Sequence, residues 1–184
     1  MPPLVRRLGW TMKAGLKRSR ACALALLLCV VCLVGCDHAT KLAAETALRD
    51  HAPLRIVPGV MDLAYTENHG VAFSALERLS LHPPAWALFA LAVVATSAIL
   101  ALWFRRRRAT WPEHAGFALV VAGALGNALD RVARGHVVDF IHVRFWPVFN
   151  VADILVAAGG MLLLLVHVRR ASRSPPANIS ASAP

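Results

Sequence analysis

Residues 148–168 read VFNVADILVAAGGMLLLLVHV. From Ile154 on, the stretch is apolar or small except for His167, yet Asn150 and Asp153 sit at its start. A helix needs about 20 such residues to cross a bilayer, and this segment supplies that length. Three further apolar runs stand out: Ala21 to Cys36, Ala85 to Phe104, and about Ala115 to Leu129. The first is short, but Arg18 and Arg20 can snorkel and the helix can continue past Asp37. The 184-residue chain is 58% hydrophobic, with a mean hydropathy of +0.57. Few soluble domains are this apolar. The expected architecture is all-α and membrane-embedded: a four-transmembrane-helix bundle with spans at about 21–40, 85–104, 113–131 and 148–168.

Charge sets the expected orientation. The segments 1–20, 105–114 and 169–184 hold 13 of the 20 Lys and Arg, and one acidic residue, Glu113. Basic residues near span ends mark the cytoplasmic side. Both termini are therefore expected in the cytoplasm, with 1–20 a basic amino-terminal segment and 169–184 a disordered tail rich in Ser, Pro and Ala. The formal charge of +10 raises nucleic acid as a partner. The cations cluster at the ends of apolar runs, with no basic face interleaved with stacking aromatics, so no nucleic-acid partner is expected.

The outer segment 37–84 is too long for a simple turn. After the Pro58-Gly59 turn signal, Met61, Leu63 and Tyr65 alternate with Asp62, Ala64 and Thr66. That pattern predicts a strand with one apolar face, part of a small extracytoplasmic β-sheet between helices 1 and 2 at about 54–75. All four cysteines, Cys22, Cys29, Cys32 and Cys36, fall in the first apolar run. They read as small side chains facing lipid.

The polar residues of the apolar segments collect at one side. Asp37 and Lys41 close the first span, and Asn127, Asp130 and Arg131 close the third. Asp139 lies in Val137-Val138-Asp139-Phe140-Ile141, and Asn150 and Asp153 open the fourth span. Ionisable groups at bilayer depth are costly and point to function. Asp130-Arg131 also reads as a local ion pair at a helix end, and Asp153 as a charge favoured by the helix dipole. Two carboxylates in a partly dry site cannot both ionise easily, so the pair holds one proton near neutral pH. That state suits peptide hydrolysis: one partner takes a proton from water and the other donates to the scissile carbonyl.

Several motifs together resemble one known family, lipoprotein signal peptidase (signal peptidase II). They are Asp37-His38-Ala39-Thr40-Lys41, Asn68-His69-Gly70-Val71-Ala72-Phe73, Gly126-Asn127-Ala128-Leu129-Asp130-Arg131, Val137-Val138-Asp139-Phe140 and Phe149-Asn150-Val151-Ala152-Asp153, all in the family's order. The resemblance covers about residues 21–168 and implies a catalytic dyad at Asp139 and Asp153. It implies that Asn127, Asp130, Arg131 and Asn150 support or line the site. Asn68 and Gly70 would lie on the sheet that cradles substrate, and Asp37 with Lys41 would anchor the outer end of the first span. The implied substrate is a prolipoprotein whose cysteine already carries diacylglycerol, cleaved just before that cysteine. The implied setting is the bacterial cytoplasmic (inner) membrane, with the active site on the periplasmic side and membrane lipid around a monomer. No metal or cofactor is implied, and the cyclic peptide globomycin is the family's inhibitor. His38, Ala122 and Val71 depart from the family's usual Gln, Gly and Ala, which bears on substrate contacts and not on the dyad.

Three other readings compete. His136, Asp139 and His142, with His38 and His69 on the same side, could hold zinc, although no His-Glu-x-x-His motif is present. Leu33-Val34-Gly35-Cys36 looks like a lipobox, as though the chain were itself a lipoprotein. A small transporter would place its carboxylates near the bilayer midplane and not at one surface.

Overall fold

The computed structural model describes residues 3–69, 85–106 and 109–172. Along them run α1 (Pro3–Leu48), β1 (Leu54–Val57), β2 (Met61–Asn68), α2 (Ala85–Arg105), α3 (Trp111–Arg134), β3 (Val137–Val143) and α4 (Val151–Ala171). Gly70, the remainder of the expected β region and the tail beyond Ser172 lie outside the described residues.

Of these helices, three are long and apolar enough to cross a membrane: α1 over Ala21–Leu48, α3, and α4. The second expected span falls on α2, where Ala90–Arg105 forms a shorter apolar stretch. Helix α1 starts earlier and ends later than expected. It runs through the basic segment and past residue 40 to Leu48. Residues 42–48 are mostly Leu, Ala and Glu, which favour helix. Ala44 and Leu48 are also buried against Phe140, with Leu63, Tyr65, Ile141 and Val151 around them. Tertiary burial thus extends the helix beyond the apolar run.

Helices α3 and α4 pack closely because small residues face each other. A Cβ on Gly159 would lie 2.6 Å from the Gly116 carbonyl oxygen, and one on Gly123 would strike the Ala152 carbonyl. Such small-residue seams let membrane helices approach where the hydrophobic effect supplies no driving force. At the far end of the seam, the Arg170 guanidinium reaches Glu113 Oε1 at 2.6 Å. The Thr110 N–H donates to Glu113 Oε2 at 2.7 Å, which caps the start of α3.

The sheet is antiparallel, in the order β1-β2-β3. The turn before β2 places Gly59 at φ 72°, as the Pro58-Gly59 reading requires. The expected strand is β2. The sheet as a whole corrects the expectation, because its third strand comes from between α3 and α4 and not from the segment between helices 1 and 2. Strand β3 pairs Asp139 with Thr66, Val138 with Glu67, and Val137 with Asn68. Its first four residues are all buried, so the alternating pattern that marks a half-buried strand is missing.

Candidate active site

Helix α1 near its carboxyl end, α3 at its carboxyl end and α4 at its amino end converge beside β3, and each brings polar residues. Lys41 and Asp37 are one turn apart on α1, and both are buried, Lys41 completely. The Lys41 ammonium lies 2.8 Å from Asp37 Oδ2 and 2.8 Å from Asp130 Oδ2, and it donates to Asn127 Oδ1 at 3.0 Å. Asp37 Oδ1 accepts from the Ala152 N–H at 2.8 Å. Asp37 therefore supplies a partner to the first turn of α4, whose backbone N–H groups have none within the helix. The expected anchor at the end of α1 is thus an interior ion cluster joining three helices.

Asp130 also reaches beyond its own helix end. Its carboxylate faces Lys41 of another helix, and Arg134 at 3.6 Å, and it accepts from the Val138 N–H at 3.4 Å. Arg134 was not among the expected site residues. The i, i+4 spacing from Asp130 is the sequence feature that pointed to it. Arg131 donates to the Asn127 carbonyl at 3.3 Å and feels the charges of Asp139, Asp153 and Asp130.

Above this cluster lie the two expected carboxylates. Asp139, on β3, is 2% exposed. Its Oδ2 accepts from Asn68 Nδ2 at 2.8 Å, and its Oδ1 from Asn150 Nδ2 at 2.6 Å. Asp153, half-buried on the first turn of α4, accepts from Asn127 Nδ2 at 2.9 Å and from the Asn150 N–H at 3.2 Å. Asn150 is the N-cap of α4, and its Oδ1 accepts from the Asp153 N–H at 3.1 Å. Asp153 thus closes a capping box as well as facing the site, so the helix-terminus reading of this residue also holds. Asn150 and Asn127 are themselves joined, Nδ2 to Oδ1, at 3.1 Å.

Burial pushes the Asp139 carboxyl up, from 3.8 to about 6. The Asn68 hydrogen bond opposes that rise, the negative charge of Asp153 adds to it, and the Asn150 hydrogen bond and the Lys41 charge pull it back. All the expected site residues within the described part of the chain therefore meet, while Gly70 lies outside it. The His136, Asp139 and His142 triple does not converge. Residues three apart on a strand point to opposite faces, and these fall at and along β3.

Apolar helices of bilayer length, with a polar and ionic centre at one common end, define a membrane protein with a hydrophilic site. Comparison with known proteins narrows this. The model of the signal peptidase (SPase) II family matches residues 29–169. The lipoprotein signal peptidase of Xanthomonas euvesicatoria pv. vesicatoria is 36% identical over 152 residues, which is 79% of this chain and 86% of that one. That of Pseudomonas putida is 40% identical over 138 residues, 70% of this chain and 78% of that one. A solved structure described as a bacterial membrane enzyme shares the fold, with a TM-score of 0.73 at 24% identity, over 84% of this chain and 94% of that one. This chain belongs to the signal peptidase II family, and it is accordingly a membrane protease, a hydrolase.

Proposed function

We propose that the chain removes signal peptides from diacylglyceryl-modified prolipoproteins, cutting before the lipidated cysteine by aspartyl chemistry at Asp139 and Asp153. Family membership supports the prolipoprotein substrate. One observation carries the dyad: Asn150 donates to both carboxylates, by its side chain to Asp139 and by its backbone to Asp153.

The division of labour follows from the surroundings. Asp139 is the more deeply buried, and its affinity for a proton is raised. It holds the proton and gives it to the scissile carbonyl oxygen. Asp153, more open to solvent and fixed by Asn127 and Asn150, takes a proton from the attacking water. The carbon gains a hydroxyl and the oxygen a proton, giving a neutral tetrahedral diol. Its collapse returns a proton to the leaving nitrogen, and no covalent enzyme intermediate forms. Arg131 and Asn68 orient the substrate backbone. Asp37, Lys41 and Asp130 are positioning residues that hold the three helix ends.

The topology follows the same reading. Helix α2 is the fourth span, both termini are cytoplasmic, 21–168 is the peptidase domain, and the site opens on the periplasmic side of the bacterial inner membrane. Substrate then arrives by lateral diffusion, with its acyl chains between spans. Apolar grooves beside α1, including one of about 500 Å³ lined by Leu26, Val30, Leu100 and Trp103, fit such occupants. The enzyme acts as a monomer without a cofactor in the reaction, and globomycin competes for the site.

The test is cleavage of a diacylated precursor by the purified full chain in detergent micelles. Wild type should cut before the lipidated cysteine, globomycin should stop it, and Asp139→Asn and Asp153→Asn should each lose at least about 10³-fold in rate while remaining inserted. Wild-type turnover in either variant overturns the dyad.

A further inference from the structure

On the other face of the sheet from the Asn68–Asp139 contact lies a group of side chains that the peptidase chemistry does not use. Strand alternation separates the two sets. Asn68 and Asp139 share one face, whereas Glu67, paired with Val138, points to the other. The same register carried one residue further sets His69 opposite His136, and their rings lie 5.2 Å apart. Glu67 and His69 stand i, i+2 at the end of β2, and so point the same way. The ligand atoms of Glu67, His69 and His136 all fall within 4.8 Å of one another.

We propose that Glu67, His69 and His136 form a divalent transition-metal site, with zinc the fitting ion. Two imidazole nitrogens and one carboxylate oxygen are a common zinc donor set, leaving a fourth position for water. At zinc bond lengths near 2 Å, ligand atoms of a tetrahedral site sit about 3.3 Å apart. Glu67 Oε2 is already 3.4 Å from His69 Nε2, and His136 Nε2 is 3.9 Å from Glu67 Oε1. The His69 side chain is 66% exposed and has room to turn toward the other two.

A second observation points to a ligand. The His136 side chain is only 14% exposed, yet its Nε2 is buried with no hydrogen-bond partner among the described residues. A buried imidazole nitrogen without a partner is costly, and a metal ion satisfies it. Glu67 is also pre-oriented. Its Oε1 accepts from the Tyr65 hydroxyl at 3.0 Å and from Arg49 at 3.2 Å, an outer shell of the kind that fixes carboxylate ligands. The Arg49 charge is itself met by Glu45 at 3.0 Å, which limits its repulsion of a cation. A bound ion would clip the end of β2 to the start of β3, next to the Asn68–Asp139 contact but outside the dyad.

The test uses metal-free full chain in detergent micelles, titrated with Zn²⁺ and followed by calorimetry and by metal content after desalting. Wild type should bind and retain one equivalent, and zinc should raise its unfolding temperature. His69→Asn, His136→Asn and Glu67→Gln should each weaken binding at least about 10-fold. His38→Asn and His142→Asn should leave it unchanged. His69 is exposed, so His69→Asn carries the test even if His136→Asn fails to fold. The proposal is overturned if wild type retains no stoichiometric zinc, if His69→Asn binds as wild type does, or if His38→Asn or His142→Asn weakens binding as much.

Discussion

The Asn150 side chain donates a 2.6 Å hydrogen bond to Asp139 Oδ1, and its own Oδ1 accepts from the Asp153 N–H at 3.1 Å. One residue therefore caps α4 and ties a carboxylate on β3 to the carboxylate on that helix. Asn150→Ala removes the cap and the side-chain bond to Asp139, and keeps only the backbone N–H that donates to the Asp153 carboxylate. Loss of the cap should cost about 1 kcal/mol, and cleavage should fall at least about 100-fold. Asn150→Asp keeps a good N-cap but adds a third carboxylate, so it should stay nearer wild-type stability while activity is lost. Unfolding temperature and kcat for both variants check this; wild-type kcat in Asn150→Ala would separate the residue from the chemistry.

Lys41 is fully buried between Asp37 and Asp130. Removing one partner of such a cluster leaves buried charge uncompensated, at about 3–5 kcal/mol. Lys41→Met should lower stability by that amount. Adding Asp37→Asn to Lys41→Met should return part of it by removing one stranded charge. Denaturant unfolding in micelles measures the coupling, and strictly additive losses would place the three groups in separate environments.

Asp139 in the folded chain binds its proton more tightly than the ordinary value of 3.8, at about 6. With the folded value raised, its contribution to stability is full below about pH 4 and is lost as pH rises through about 6. If Asp139 donates the proton, kcat/KM should show a falling limb near pH 6 in the free enzyme. Asn68 hydrogen-bonds the charged form and holds the value down, so Asn68→Ala should move that limb to higher pH. A rising limb at the same pH would exchange the roles of the two aspartates, and a limb that moves down would show that Asn68 favours the protonated form.

The helix seam near the site has little room. A Cβ on Gly126 would lie 2.5 Å from Asp37 Oδ2, whereas one on Gly160 would meet nothing within 4 Å. Gly126→Ala should cost about 1–3 kcal/mol and reduce cleavage by displacing Asp37 from Ala152. Gly160→Ala should leave both unchanged. The two variants, assayed together for cleavage and unfolding, separate local crowding from a general effect of added bulk in helices.

All four cysteines are free and exposed on α1. Replacing them together with Ala should keep activity within about twofold, since exposed substitutions away from special features change little. Mass spectrometry of the intact wild-type chain should show an amino terminus upstream of Lys13. Loss of activity in the variant, or processing at Cys36, would revive the lipobox reading of Leu33–Cys36.

Much of the fold was legible because its causes are local. Apolar runs of bilayer length gave three helices that meet the requirement for crossing, and alternation after Pro58-Gly59 gave β2. Strand β3 was missed because its first residues are buried without alternation, which erases the period of two. How far α1 runs past its apolar stretch was not legible, because Ala44 and Leu48 are held in the helix by packing on Phe140.

By itself the sequence determined that apolar helices carry their polar residues at one end, since hydropathy and motif order are properties of the chain alone. Only the tertiary structure decided which of those residues touch. Lys41 meets Asn127 across 86 positions, and Asp37 meets the Ala152 N–H across 115. The tertiary structure also made Asn150 the link between the two aspartates, and gave Asp130 a partner on another helix. The physical reason is that a buried polar group must find a partner somewhere, and local spacing does not say where when the partner lies on another helix or strand.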